Sequence, residues 1–446
     1  MMDDSGEGDS VDLKWRRTPF EGGNTGDFLD NLEDYLMKRT TKTLLSGVAL
    51  LSLLAGPALA QQVTLDVTAW KGNEAEPAGL PELIEKFESE HPEIDVELSY
   101  IGRLDTDTVI PPRLQGGDAP DVMMTDMPLV KIWGDAGLLK DLGQDNEWSS
   151  RIPAELNAAL SSGDANYIMP LEVIGMGNFV NMGLLNQVGI TEAPTTIEEL
   201  KATCGALADA GINPLIFTGG FSAPLFLIAN GIEGSDVAPE VLGSGEQTFA
   251  ENASFNAGID LIRELQEAKC FDPDQQAGLD PWSTALNEFS GGNFAMMPQG
   301  AWNIGAFSQV EGLDYVFAPI PSAQDSGVAL DLFGIGWSIA ARSDQQEAAK
   351  TFVDWFAKPE NLQVMLDAES AYSPFDDGAS GTPDLAAPYD AARANGGIIN
   401  YPFALLQWPK PLEGEIWDSL TGFLLDTSKS NEEVLERWDW AVEDAQ

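Results

Sequence analysis

Alternating hydrophobic and polar positions predict a strand, a helix and a strand soon after residue 60. Residues 63–69 alternate with the spacing of a β-strand, and residues 94–98 do so again. Between them, Pro81 opens a stretch in which Leu83, Ile84 and Phe87 share one helical face. A strand, a helix and a strand in this order predict a βαβ unit, and therefore a parallel sheet.

The same mixture of short strands and amphipathic helices continues along the chain. Strands are predicted at 121–124, 214–217, 294–297 and 332–340, and helices at 129–139, from 195, at 256–268 and at 348–357. Residues 168–180 are mainly apolar and interrupted by glycines. The chain has 446 residues, of which 43% are hydrophobic. The pattern therefore predicts an α/β fold, and the length predicts more than one domain.

The stretch from Glu288 to Asn303 is the most informative segment. Gly291 and Gly292 end a helical pattern, residues 294–297 form a short apolar run, and Pro298-Gln299-Gly300 turns the chain. This places Trp302 just beyond the carboxyl end of a strand, where open α/β sheets bind ligands. From the residues alone, Trp302 either contacts a ligand or packs in the core.

Glu172 interrupts an otherwise apolar run. A carboxylate buried there needs a partner, because burying an unpaired charge is costly. The alternative is that Glu172 lies on a surface turn.

The first sixty residues read as a targeting region rather than as part of the fold. A basic start at Met37, an apolar run from Leu44 to Leu54 and the sequence Ala58-Leu59-Ala60 are the three parts of a signal peptide. We therefore expect residues 1–36 to be a misassigned upstream extension and residues 37–60 to be removed after Ala60. The mature chain is then exported, most simply to a periplasm.

Composition excludes several chemistries. The net charge of −49 disfavours binding to nucleic acid, which needs clustered Lys and Arg. The single histidine, His91, excludes the common hydrolase triad, and no cluster of His and Cys has the spacing of a metal site. We expect neither a cofactor nor a metal. The two cysteines, Cys204 and Cys270, are expected to form a disulfide in an oxidising compartment, two separate buried thiols being the alternative.

Several motifs, in this order, resemble the extracellular solute-binding proteins of sugar-importing ABC transporters. They are Gly117-Asp118-Ala119-Pro120-Asp121-Val122, Tyr167-Ile168-Met169-Pro170 with Phe179-Val180-Asn181, Phe289-Ser290-Gly291-Gly292 with Gly300-Ala301-Trp302, and Gly336-Trp337-Ser338-Ile339-Ala340. The resemblance implies a two-lobed periplasmic-binding-protein fold of type II, joined by crossover hinge segments. It implies an N-terminal lobe of residues 61–173 plus 323–371 and a C-terminal lobe of residues 177–318 plus 376–446.

The resemblance also implies a ligand site between the lobes. In the family, the tryptophan at the position of Trp302 stacks on a sugar ring. The expected ligand-binding residues are Trp70, Glu74, Asp126, Glu172, Phe221, Trp282, Trp302, Trp337 and Tyr372, with Thr125 beside Asp126. The crossover has Phe179 where many relatives have a tyrosine.

The implied function is that of a monomeric, non-enzymatic receptor that binds a carbohydrate and delivers it to the membrane permease of an ABC importer. Flat aromatic side chains cover the C–H faces of sugars, and carboxylates accept from their hydroxyls. A polyamine receptor of the same architecture would use aromatic walls and carboxylates as well. A secreted glycoside hydrolase would need a carboxylate pair about the scissile bond, and the sequence singles out none.

Overall fold

The computed structural model describes residues 62–71, 79–162, 165–323 and 326–446. The predicted signal peptide, its predicted cleavage site and Glu74 lie outside the described residues. Eleven strands are described: β1 Val63–Ala69, β2 Ile94–Tyr100, β3 Val122–Asp126, β4 Ser161–Ser162, β5 Ala165–Asn166, β6 Met169–Asn181, β7 Asn213–Leu215, β8 Phe294–Gly300, β9 Tyr315–Ala318, β10 Ala329–Ile339 and β11 Ile398–Asn400.

Seventeen α-helices surround the strands in the described part of the chain. They are α1 Leu80–Glu90, α2 Arg103–Gly116, α3 Met127–Asp135, α4 Ala154–Leu160, α5 Met182–Gln187, α6 Ile197–Asp209, α7 Ser222–Glu233, α8 Pro239–Gly243, α9 Ala253–Glu267, α10 Pro273–Gln276, α11 Thr284–Ser290, α12 Ile304–Phe307, α13 Gln346–Phe356, α14 Pro359–Glu369, α15 Ala387–Ala394, α16 Lys410–Leu425 and α17 Asn431–Asp444. Among these helices, none combines the length and the apolar character that crossing a bilayer requires.

Nine strands form one mixed sheet in the order β2-β1-β3-β10-β6-β8-β7, with β11 beside β10 and β9 beside β6. The predicted βαβ unit is confirmed, because β1 and β2 pair in parallel. The prediction of a parallel sheet is wrong for its centre: β10 runs antiparallel to both β3 and β6, and β6 runs antiparallel to β8. All thirteen residues of β6 are buried, as expected for a strand covered on both faces.

The strand β8 extends further than its apolar run. Pro298 and Gln299 were expected to turn the chain, but they continue β8 and pair with Asn178 and Gly177 of β6. On the other side, β7 pairs only as far as Met296. Pro298 therefore lies where β8 has a partner strand on one side only, a position that tolerates a missing N–H.

The buried side chains form two hydrophobic cores, and strands β6 and β10 contribute side chains to both. In β6, Ile174 and Phe179 belong to the first core and Met176, between them, belongs to the second. In β10, Leu330 belongs to the second core and Phe333 to the first. These two paired strands, in which Gly175 is opposite Asp331, are therefore in contact with both cores.

The predicted disulfide is confirmed. Cys204 lies in α6, Cys270 follows α9, and the two sulfur atoms are bonded. The predicted start of α6 is confirmed too: Thr196 and Glu199 form a reciprocal capping box, each side chain accepting from the other residue's backbone N–H.

Candidate functional site

Lys71 lies two residues beyond the end of β1 and forms ion pairs with two carboxylates. Its Nζ is 2.7 Å from Glu172 Oε1 and 2.5 Å from Glu369 Oε2. Glu172 comes from β6, at the centre of the sheet, and Glu369 is the last residue of α14. Three segments far apart in sequence therefore meet in one charged cluster, which we call the Lys71 cluster. Glu172 is fully buried, which excludes the surface-turn alternative.

Burial and the second carboxylate set the electrostatics of this cluster. Burial raises the pKa of Glu172 to about 7, against the opposing effect of Lys71, and Glu369 adds to the increase. Burial alone would lower the pKa of Lys71, but the two carboxylates outweigh it and raise that pKa. Lys71 is therefore protonated at neutral pH, whereas Glu172 changes its charge near neutrality.

Four aromatic side chains form a cluster beside these charges. Trp302 lies in the turn after β8, as the sequence predicted, and Lys71 Nζ is 6.0 Å from its ring centroid. The Phe221 ring lies 6.2 Å from Trp302, 4.7 Å from Trp282 and 6.5 Å from Trp417. We call these four residues the aromatic wall. Trp302 is half-buried and packs against both hydrophobic cores, so it is not confined to either one.

A second charged group follows β3. Asp126 caps α3 by accepting from the backbone N–H of Leu129, and its Oδ2 lies 2.6 Å from Arg103 Nη2. Arg103 also lies 2.8 Å from Asp107, and its guanidinium is 5.5 Å from the ring centroid of Trp70. Asp126 and Trp70 are thus joined through Arg103. Thr125 is fully buried and shares a hydrogen bond with Ser338.

Trp337 occupies a different environment from the one expected of a ligand contact. It is fully buried in β10 and packs edge-on against Phe352 and Phe356 of α13. A ring inside the core presents no face to a ligand, so we exclude Trp337 from the proposed site. In the sequence, the apolar residues around Trp337 form the same pattern as those around a tryptophan at the end of a strand.

Tyr372 belongs to a buried polar network that includes Asp331 of β10. Its hydroxyl donates to Asp390, and the Arg393 guanidinium lies 3.7 Å from its ring centroid. Arg393 pairs with Asp331 at 2.6 Å, and the Tyr389 hydroxyl lies 3.0 Å from the same carboxylate. The hydroxyl and one face of Tyr372 are therefore already engaged by protein groups.

Three members of the site were not expected from the sequence: Lys71, Glu369 and Trp417. Lys71 adjoins Trp70, and that position was the available signal. Glu369 and Trp417 lie in helices whose sequence patterns alone predict ordinary half-buried positions.

The family model for bacterial extracellular solute-binding proteins matches residues 71–363, and the chain belongs to that family. Many solved structures share its two-lobed α/β fold. The GacH receptor of Streptomyces glaucescens, solved unliganded and with acarbose, is 22% identical, with a TM-score of 0.70 over 86% of this chain and 100% of that one.

Two further structures carry galactose-containing oligosaccharides. The solute-binding protein RafE in complex with raffinose is 18% identical, with a TM-score of 0.67 over 86% of this chain and 99% of its own. A Bacillus licheniformis sugar transporter in complex with stachyose is 18% identical, with a TM-score of 0.65 over 86% and 100%. No curated protein matches the sequence.

Proposed function

We propose that this protein is the carbohydrate receptor of an ABC importer, binding a sugar between its two lobes without transforming it. The observation that carries the proposal is the aromatic wall beside the Lys71 cluster. A flat ring such as Trp302 covers the C–H face of a pyranose, and buried carboxylates accept from the hydroxyls around its edge. The structures with acarbose, raffinose and stachyose support a saccharide ligand.

The proposed binding site combines the Lys71 cluster and the aromatic wall with Trp70 and Asp126. It contains Trp70, Lys71, Asp126, Glu172, Phe221, Trp282, Trp302, Glu369 and Trp417. We keep the predicted lobes, residues 61–173 with 323–371 and residues 177–318 with 376–446, as part of the proposal. The pairing of β6 with β10, which both hydrophobic cores contact, supports a hinge between such lobes.

A ligand screen tests the receptor function. Melting is measured with neutral oligosaccharides and, separately, with putrescine and spermidine, because a ligand specific for the folded state stabilises it by mass action. We expect stabilisation by at least one sugar and none by the polyamines. Stabilisation by polyamines alone would instead identify the rival receptor class.

Two further measurements test closure and export. Small-angle scattering should give a more compact particle with saturating sugar, and the bound oligosaccharide should be recovered intact. Identical profiles would argue against closure, and hydrolysed sugar would argue for an enzyme. The mature protein, recovered from the periplasm, should begin at Gln61; amino-terminal sequencing that finds residues 1–36 would contradict the proposed signal peptide.

A further inference from the structure

The Lys71 cluster holds one more carboxylate than cation, and all three side chains are nearly or fully inaccessible. The exposed fractions are 9% for Lys71, 0% for Glu172 and 9% for Glu369. Lys71 is used by both carboxylates. Glu172 Oε2 is buried and has no hydrogen-bonding partner among the described residues. The cluster therefore carries net negative charge at a position where water screens it little.

Arg103 and its two partners likewise hold one more carboxylate than cation. Arg103 is bound by Asp126 at 2.6 Å and by Asp107 at 2.8 Å. Lys71 of the proposed site and Arg103, which contacts the site residues Trp70 and Asp126, are thus each engaged by two carboxylates. An anionic ligand would have to displace a carboxylate to gain a cation, and would meet the uncompensated charge that remains. A neutral sugar meets no such opposition, because its hydroxyls donate to carboxylates.

We propose that the site selects saccharides by charge: it accepts sugars without carboxylate, sulfate or phosphate groups and excludes sugars that carry them, with Glu369 as the specificity-determining residue. This inference rests on the proposed function, since it names the class of sugar that the same site takes. Glu369 supplies the second carboxylate, without which Lys71 and Glu172 form a neutral pair.

The expected discrimination depends on the charge of Glu172. One net charge about 6 Å from a ligand carboxylate, at an effective dielectric constant of about 20, weakens binding by about a hundredfold while Glu172 stays ionised. Protonation of Glu172 removes that charge, so the loss of affinity at pH 8 is limited to about tenfold. The discrimination should also depend on pH. Glu172, whose pKa is raised to about 7, faces Lys71 and Glu369, and its protonation cancels the net charge of the cluster. Exclusion of acidic sugars is therefore strongest above pH 7 and weakens below it.

The experiment compares matched neutral and acidic ligands. Raffinose, stachyose, maltotriose and triacetylchitotriose are titrated by tryptophan fluorescence, each beside its derivative with primary hydroxyls oxidised to carboxylates. At pH 8 we expect about tenfold weaker binding of the oxidised form of whichever sugar binds. The ratio of the two dissociation constants should fall nearly to one in Glu369→Gln, and also in the parent protein when the pH is lowered from 8 to 6.

A matched control separates local from general charge effects. Glu360 is exposed on the same helix, α14, so Glu360→Gln removes one negative charge outside the cluster and should leave the ratio unchanged. Equal binding of neutral and oxidised sugars by the parent protein overturns the proposal, as does an unchanged ratio in Glu369→Gln. The pH series needs no variant, so it decides the matter even if Glu369→Gln folds poorly. Failure of every neutral and oxidised sugar to bind would refute the receptor function itself.

Discussion

Trp302 can be tested by moving its ring as well as by removing it. Gly300 has φ −84° and ψ 148°, a backbone conformation that alanine adopts freely. A Cβ at residue 300 would nevertheless lie 2.2 Å from the Trp302 ring. Gly300→Ala should therefore displace the indole while keeping every atom of it. This separates the position of the ring from its presence.

The expected losses follow from the role of a buried aromatic anchor. Trp302→Ala should weaken sugar binding by about 2 kcal/mol, roughly thirtyfold, and Gly300→Ala should cost a substantial part of that. Because Trp302 is half-buried, its removal should cost about 1–2 kcal/mol of folding stability, less than the roughly 3–5 kcal/mol expected for a tryptophan enclosed in a core. Trp302→Phe should recover part of the affinity, since it keeps a flat face.

The assay pairs sugar titration with thermal melting. Trp440 serves as the control: it is 57% exposed on α17, and Trp440→Ala makes the same chemical change away from the aromatic wall. Its sugar affinity should match that of the parent. A Trp302→Ala protein with parental affinity and a sharply lowered melting temperature would refute the stacking role and make Trp302 a core residue.

Three other perturbations test the structure more widely. The disulfide joins two cysteines that are 66 residues apart in sequence. Replacing both with alanine should therefore lower the free energy of unfolding by about 2–4 kcal/mol, measured by denaturant titration. An unchanged denaturation midpoint would contradict this. The pKa of Glu172 is raised on folding, so its contribution to stability is full below its ordinary value of 4.5 and is lost as pH rises through about 7. Melting curves of Glu172→Gln should lack that fall in stability, and a pH profile identical to that of the parent would contradict the raised pKa. Arg393→Met leaves the buried carboxylate of Asp331 without its cation and should lower the free energy of unfolding by about 3–5 kcal/mol. Adding Asp331→Asn should restore part of that loss, whereas additive losses in the double variant would argue against the ion pair.

Much of the fold could be predicted because its signals are local. The alternation in β1 and β2, the capping box of Thr196 and Glu199, and the glycines after α11 each depend on residues a few positions apart. The antiparallel centre could not be predicted in this way. It depends on β6 and β10, which are separated by more than 140 residues, and spacing along the chain carries no information about their relative direction.

The site could be predicted only in part, for a related reason. Trp302, Glu172 and Phe221 lie in turns or in an apolar run where their residue type stands out. Glu369 has no such contrast, because it is one of many acidic residues near helix ends in an acidic chain. Its significance comes from contact with Lys71, almost 300 residues earlier. Trp337 was misjudged for the opposite reason, since an aromatic residue in a strand has the same local pattern in a core as beside a ligand.

Short stretches of chain connect the Lys71 cluster to the paired strands β6 and β10. Glu172 lies three residues before Gly175, which pairs with Asp331 of β10. Glu369 lies three residues before Tyr372, whose backbone exchanges two hydrogen bonds with Val173 of β6, each 2.8 Å long. Both carboxylates of the Lys71 cluster therefore lie on segments that are hydrogen-bonded to each other. In the proposed binding mode, a sugar that shifts Lys71 would act on both segments at once, which would couple sugar selection to the proposed hinge.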